Sequence, residues 1–279
     1  MNLAVEQSYE YCRRIARSRA KNFYYSFLLL STQQRKAMCA IYAFMRYCDD
    51  LSDEPGASLA AMERWRGEME DALDGRFSDH PVWPAFHHTV RRFGIPHEYF
   101  REMVNGVESD LEPRRIETFD ELYRYCYQVA SVVGLTTVHI FGFDTRSALP
   151  LAEKCGVAFQ LTNILRDIRE DAERGRIYLP AEDLRRFDVT EEDMKAGRRD
   201  DGFLHLMQFE AARARKYYDE SRPLLDLVHP RSRPSLEALV TIYSRLLERI
   251  ERTNYDVFTQ RVRLSAMEKS WILVRALVG

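Results

Sequence analysis

The sequence predicts an all-α fold, a single bundle of helices. Three observations carry this. Apolar residues recur at helical spacing along most of the 279 residues, strand-like alternation is scarce, and the 12 glycines and 10 prolines sit mostly between the periodic segments. No tandem repeat, low-complexity tract or linker divides the chain, so one domain over 1–279 is the simplest architecture.

The elements follow in order. A first helix is expected over 4–19, then an irregular piece around "AKNFYYSF". A strong helix spans 32–51, with Ala37, Ile41, Phe44 and Cys48 on one face, and "DEPGAS" ends it. Helices near 58–75, 80–93 and 97–110 come next; Gly94 closes the second of these and Pro96 precedes the third. "TFDELYRYCYQVASVVGLTTVHIFG" opens on Thr118 with Glu121 three residues on, a capping-box pattern, and then turns apolar nearly all round, as a buried central helix would. Pro150 opens the following helix. "ERGRIYLPAEDLRRF" reads as a loop with a short helix after Pro180, and 203–227, 234–258 and 264–277 complete the set.

Composition narrows the function. A net charge of −2 argues against a nucleic-acid partner held by charge. No stretch reaches the roughly 20 apolar residues of a membrane span. The start, "MNLAVEQSYEYCRR", lacks the apolar core of a signal peptide, so a cytoplasmic chain is expected. Cys12, Cys39, Cys48, Cys126 and Cys155 are odd in number and scattered, with no C-x-x-C, which suits a reducing compartment better than a disulfide or zinc framework.

Two acidic stretches stand out. "YCDDLSDE" places Asp49, Asp50 and Asp53 at the end of the 32–51 helix, and "NILRDIRED" places Asp167, Glu170 and Asp171 at the end of another apolar run. Asp49/Asp53 and Asp167/Asp171 share i, i+4 spacing, which puts each pair on one helix face about 6 Å apart along the axis. Like charges so placed repel, and at a helix C-terminus they also oppose the helix dipole. A chain that tolerates this twice is expected to hold something positive there. Hard carboxylate oxygens suit Mg²⁺ or Mn²⁺, which commonly bridge carboxylates to substrate phosphates. Arg46 and Tyr42 lie behind Asp49 on the same face; Lys21 and Arg176 could meet a phosphate. Gln160 and Asn163 lead into Asp167, like a lining that turns polar at one end. Phe23, Tyr24, Tyr25, Phe27, Tyr42, Phe44, Tyr125, Tyr127 and Phe159 could stabilise a carbocation if they line a pocket, or could be plain core. The small residues Ala130, Ser131 and Gly134 leave room for a long apolar chain or allow close helix packing.

"AIYAFMRYCDDLSDE", "YCYQVASVVG" and "QLTNILRDIREDAERGRIYLP" together resemble the squalene/phytoene synthase family, the head-to-head prenyl synthases. The resemblance runs from about residue 8 to 265 in the family's order. It implies an all-α isoprenoid-synthase bundle around a central cavity and two allylic diphosphates joined at their C1 ends with Mg²⁺ required. It implies metal contacts at Asp49, Asp53, Asn163, Asp167 and Asp171. It also implies diphosphate contacts at Lys21, Arg46, Arg176, Tyr243 and Arg261, with Gln160 beside them, and tyrosines near the reacting carbons at Tyr42 and Tyr125. Three positions depart from the family pattern. Ala20 and Asn22 stand where hydroxyl residues are common, and Ser131 replaces a glycine, which bears on cavity shape. Greasy substrates and products suit transient membrane contact and contact with other isoprenoid-pathway enzymes.

Two substrates remain open. Farnesyl diphosphate would make the chain a presqualene diphosphate or squalene synthase, and "KNFYYSF" with the compact length leans that way. Geranylgeranyl diphosphate would make it a phytoene synthase. NADPH use is left open, because reducing relatives also lack a G-x-G-x-x-G fingerprint. A non-catalytic helical assembly factor on the same fold would be expected to lose aspartates, and all four are retained.

Overall fold

Helix ends in this protein fall where the chain can no longer pair its backbone or pack a side chain. The computed structural model describes residues 3–20, 23–53, 58–111 and 115–278, with Asp53 and Val278 described by their backbone only. Helix α1 is Leu3–Arg19, α2 Phe23–Phe27, α3 Thr32–Asp53, α4 Leu59–Leu73, α5 Trp83–Phe93 and α6 His97–Glu108. Then come α7 (Phe119–Cys126), a π-helical turn (Tyr127–Ser131), α8 (Val132–Phe141) and the 26-residue α9 (Ala148–Glu173). Short helices α10 (Ala181–Arg186) and α11 (Glu191–Ala196) lead to α12 (Asp201–Ser221), α13 (Leu224–Leu227), α14 (Arg233–Arg252) and α15 (Ala266–Val278). The fold is an all-α bundle; the β pairing among the described residues is one isolated bridge, Phe143 to Val228.

Several elements differ from the sequence expectation, each for a local reason. "FYYSF" is a helical turn, closed by Ser26 Oγ donating to the Phe23 carbonyl at 2.7 Å and pinned by buried Phe27. The expected single helix after Thr118 is interrupted by the π turn. That turn is wedged between two glycines: a Cβ on Gly106 of α6 would sit 2.8 Å from Gln128 Cβ, and one on Gly156 of α9 would sit 2.5 Å from Ser131 Cα. The capping box forms by half. Thr118 accepts from the Glu121 amide, but the Glu121 carboxylate takes the Glu117 amide at 2.8 Å. Segment 203–227 divides at Pro223, which has no N–H to continue α12. Segment 234–258 stops at Arg252, because Asn254 and Tyr255 turn left-handed at φ of 52° and 58°. Helix α11 was not expected at all. Its signal was present as Thr190 and Asp193, whose reciprocal bonds make a complete capping box.

Two apolar clusters build the core. One gathers α1 and α3 to α6 around Phe44, whose ring stacks on Phe86 at 4.6 Å and also meets Trp65, Trp83 and Phe100. The other joins α9, α12 and α14 through Leu161, Leu165, Met207 and Leu246. Helix α9 contributes to both, Ala152 and Cys155 to the first and Val157 and Ile164 to the second. The five cysteines are buried and free. No helix among the described residues is long and apolar enough to cross a membrane.

Replacing Gly156 tests the contact that holds α9 against the π turn. Gly156→Ala forces backbone apart at Ser131, so it is expected to lower stability by about 1–3 kcal/mol in urea unfolding. Gly67→Ala, inside α4 where an added Cβ meets nothing within 4 Å, is the control and is expected to raise stability by about 0.5–1 kcal/mol through helix propensity alone.

Candidate active site

Helical periodicity brings the sequence-predicted residues together. A cavity of about 780 Å³ opens between the helices. Tyr42, Arg46 and Asp49 follow one another at i, i+4 and i+7 on α3 and all line it. Gln160, Asn163, Asp167 and Asp171 line it from α9, and Tyr125, Arg176, Tyr243 and Arg261 from four further segments. Asp53 closes α3 with its side chain outside the described residues, and Lys21 also lies outside them. The two acidic stretches therefore border one hollow.

Its polar end is dense in charge. Arg166 grips Asp167 with two nitrogens, one at 2.8 Å, and Arg261 reaches the same carboxylate from beyond α14 at 2.8 Å. Arg261 also lies 3.4 Å from Glu170. Burial alone would raise the Asp167 pKa, but the bond from Arg166 and the charges of Arg166 and Arg261 hold it below the usual carboxylate range. Asp171 has weaker relief, from the more distant charges of Arg174 and Arg176. Burial, and then the charge of Asp167, push it up to about 7. On α3, Arg46 bonds Asp50 while its Nε is buried without a partner among the described residues. Burial pushes the Tyr42 phenol up to about 12.

No three carboxylate, histidine or cysteine groups among the described residues gather closely enough to form a ready-made cation cage. The expected ligands are instead split between two helices, and Asp167 is already engaged by two guanidiniums. The donor set still fits a hard divalent ion. Asn163 Oδ1 is a buried oxygen with no hydrogen-bond partner among the described residues, and Asn163 lines the cavity with Asp167 and Asp171, four and eight residues along the same helix. A cation placed there would also relieve the repulsion that raises Asp171.

Two residues missed in the sequence complete this end. Asp110, just beyond α6, accepts from the Tyr125 hydroxyl at 3.0 Å and from the Tyr178 hydroxyl at 3.0 Å, one on each carboxylate oxygen. The two rings stack at 4.8 Å. Burial, then the Asp110 charge, raise both phenols well above their ordinary value, so they stay protonated donors. Arg176 donates to the Asp110 carbonyl at 2.9 Å and the Ser52 carbonyl at 3.3 Å, joining the ends of α6 and α3 to the loop after α9. In sequence Asp110 reads only as a helix end. Its partners lie 15 and 68 residues away, and no local pattern reveals them.

The apolar end is partly aromatic. Phe23, Phe27 and Phe159 line it, and Phe159 stacks at 4.3 Å on Tyr243, whose hydroxyl reaches Asn163 and the Arg166–Asp167 pair at the polar end. Tyr24, Tyr25, Phe44 and Tyr127 are not among its lining residues, and Phe44 is core. Ala130 and Gly134 line the cavity, while a Cβ on Gly134 would also press to 2.9 Å on the Ala152 carbonyl, so room and close packing coincide there. Ser131 does not narrow the cavity. It is buried, and its hydroxyl donates to the Glu153 carbonyl at 2.8 Å.

A sequence model described as squalene/phytoene synthase matches residues 16–268. The chain is 39% identical to a phytoene synthase of Arthrospira platensis, over 95% of this chain and 91% of that one. It is 38% identical to the chloroplastic phytoene synthase 1 of Arabidopsis thaliana over 94% of this chain, spanning 64% of the plant relative's length. A crystal structure of a dehydrosqualene synthase in complex with ligand superposes with a TM-score of 0.92 at 30% identity, covering 98% of this chain and 96% of the other.

The Asp110 hub has a measurable stake in the fold. Asp110→Ala leaves two buried phenol hydroxyls without their acceptor and is expected to cost about 1–3 kcal/mol in chemical denaturation. Asp110→Asn, which keeps one acceptor oxygen, is expected to lose less.

Proposed function

The chain belongs to the squalene/phytoene synthase family, the head-to-head prenyltransferases, and from that premise we propose that it condenses two geranylgeranyl diphosphates through a cyclopropyl diphosphate to phytoene. The observation that carries the longer substrate is the higher identity to phytoene synthases than to the dehydrosqualene synthase. The farnesyl preference read from "KNFYYSF" and chain length is the weaker of the two. The dehydrosqualene synthase likeness keeps it as the second reading.

Family membership implies a divalent-metal-dependent reaction. Asp49, Asp53, Asn163, Asp167 and Asp171 would hold the ions, which supply neutralisation between carboxylates and diphosphate and polarise the departing diphosphate. The remaining steps fall to the chain's own side chains. Arg46, whose buried Nε has no partner among the described residues, pairs with the diphosphate, with Arg176 and Arg261 lining the same cavity and Gln160 on the adjoining wall. Lys21, outside the described residues, is proposed as a further diphosphate contact. The C1–O bond of one substrate breaks and its diphosphate leaves with the bonding pair. The double bond of the second substrate attacks that C1, and loss of a proton closes the three-membered ring. Loss of the second diphosphate, rearrangement and a further proton loss give the hydrocarbon, with no reductant consumed. The aromatic faces of Phe23, Phe159 and Tyr243 stabilise the cationic stages, and the apolar walls keep water from quenching them. Tyr125, held by Asp110, presents a fixed hydroxyl beside the reacting carbons, with Tyr42 on the facing helix.

The test is product identification after incubating purified protein with Mg²⁺ and each diphosphate, without and with NADPH. Geranylgeranyl diphosphate is expected to yield a hydrocarbon without NADPH; turnover of farnesyl diphosphate alone would overturn the longer-substrate reading. Chelation is expected to stop turnover and added Mg²⁺ or Mn²⁺ to restore it. Asp49→Asn and Asp167→Asn are each expected to lower turnover about 10²-fold or more while leaving helical circular dichroism intact. Full turnover in both variants would sink the site assignment.

A further inference from the structure

One group of buried charges lies outside the cavity lining and does not balance. Glu210 of α12 and Asp183 of α10 are 1% and 4% exposed. A single nitrogen of Arg213, Nη1, donates to Asp183 Oδ2 and to Glu210 Oε1, each at 2.8 Å. Two carboxylates thus share one guanidinium inside the core. The second oxygen of Glu210, Oε2, is buried with no hydrogen-bond partner among the described residues. Ionised there, it would lose its hydration without replacement. A hydrogen on Glu210 removes the surplus charge and turns the orphan acceptor into a donor, with Asp183 within hydrogen-bonding reach.

The surroundings leave that charge in place. Facing Glu210 are Asp183 from α10, Arg213 from its own helix and the buried thiol of Cys126 from α7. Tyr217, one turn beyond Arg213, feels Arg213 and Cys126. Arg186 of α10 is exposed and lies over the Phe209 ring at 4.6 Å. Helices α9 and α14 meet α12 through the apolar cluster of Leu161, Leu165, Met207 and Leu246. Burial first, then the charge of Asp183, push Glu210 up to about 8 against the pull of Arg213. The cluster also sits where three elements are pinned together. The Ala181 and Glu182 amides of α10 donate to the Ile116 and Glu117 carbonyls at 2.8 and 3.1 Å, and the Phe119 amide donates to Glu182 Oε1 at 2.7 Å. The Arg213 guanidinium lies 4.1 Å from the centre of the Phe119 ring. Helix α12 therefore holds both α10 and the entry to α7 through this one arginine and its two acids.

We propose that Asp183 and Glu210 form a one-proton latch: while the pair holds a hydrogen, α12 clamps α10 and the entry to α7, and loss of that hydrogen on the alkaline side loosens the clamp. The sign follows from linkage. A carboxyl whose folded pKa stands above its unfolded value contributes stability that is fully present below the unfolded value and is lost as pH rises through the folded one. Here that window runs from the ordinary glutamate range up to about 8. The latch does not rest on the substrate reading, because no substrate enters its test.

Urea unfolding of the full chain is followed from about pH 6 to about pH 9 for the wild type, Glu210→Gln and Asp183→Asn. Asp171 titrates in the same window, so each variant is compared with the wild type at every pH and the difference is read. Glu210→Gln keeps the side-chain shape with a head that is always neutral. Asp183→Asn leaves Arg213 balanced by Glu210 alone, so no hydrogen is needed. For each variant, the ratio of the wild-type unfolding constant to the variant's is expected to rise about tenfold or more across the range. A purely structural contact would shift that ratio by the same factor at every pH. Hydrogen exchange on the unaltered protein needs no variant to fold. Protection of the amides of 116–119 and 181–186, corrected for the intrinsic rate, is expected to fall relative to that of α3 as pH rises. A ratio that stays flat with pH for Glu210→Gln, or protection that falls equally in α3 and α10, would each overturn the latch.

Discussion

The structure depends on holding negative charge inside an apolar shell. Two aspartates one turn apart, about 6 Å, repel by roughly 3 kcal/mol at an effective dielectric of about 20, and burial adds a desolvation penalty to each. The protein meets this unequally. Asp167 is gripped by Arg166 and Arg261 and stays ionised below its ordinary range, whereas Asp171 is left to rise to about 7. That asymmetry marks where further positive charge is wanted. It also explains why charge crowds the end of α9, directly after an apolar run: the apolar turns build the cavity wall and the charged turns close its polar end.

Close backbone packing sets where that wall stands. Gly106 and Gly156 let α6 and α9 press against the π turn, and the extra residue in that turn shifts the register between α7 and α8. Tyr125, at the end of α7, is then fixed by Asp110 against Tyr178, while Ala130 and Gly134 beyond it border the apolar depth. One irregular turn thus lies between the polar and apolar ends of the site. Ser131, which in sequence threatened the cavity's shape, is absorbed into the packing against α9.

What the sequence made legible was periodic or local. The long helices, the stop at Gly94 and the two aspartate stretches follow from spacing alone, and the same periodicity places Tyr42, Arg46 and Asp49 on one wall and Asn163, Asp167 and Asp171 on another. What it hid was tertiary. The π turn answers glycines on two other helices, and Asp110 acquires its role from tyrosines distant in sequence. The aromatics divide for the same reason: Phe44 and Phe159 look alike in sequence, but only the faces of α3 and α9 as packed decide which becomes core and which meets the cavity. Helix α11 is the exception, since its Thr190–Asp193 box was local and readable.

Arg261 shows why the polar end is assembled from so many segments. It lies between α14 and α15, outside any helix, yet its guanidinium reaches Asp167 and Glu170 on α9. Val262, Arg263 and Leu264, next along the chain, line the cavity. The ion pair therefore positions a whole wall segment as well as balancing a charge. A lysine would neutralise Asp167 equally well but could not offer the planar fork that spans two carboxylates at once. Arg176 does corresponding work across the site, tying the ends of α3 and α6 to the loop after α9 through the Ser52 and Asp110 carbonyls. Guanidiniums that are always charged and geometrically rigid thus hold the acidic rim in register before any ligand arrives.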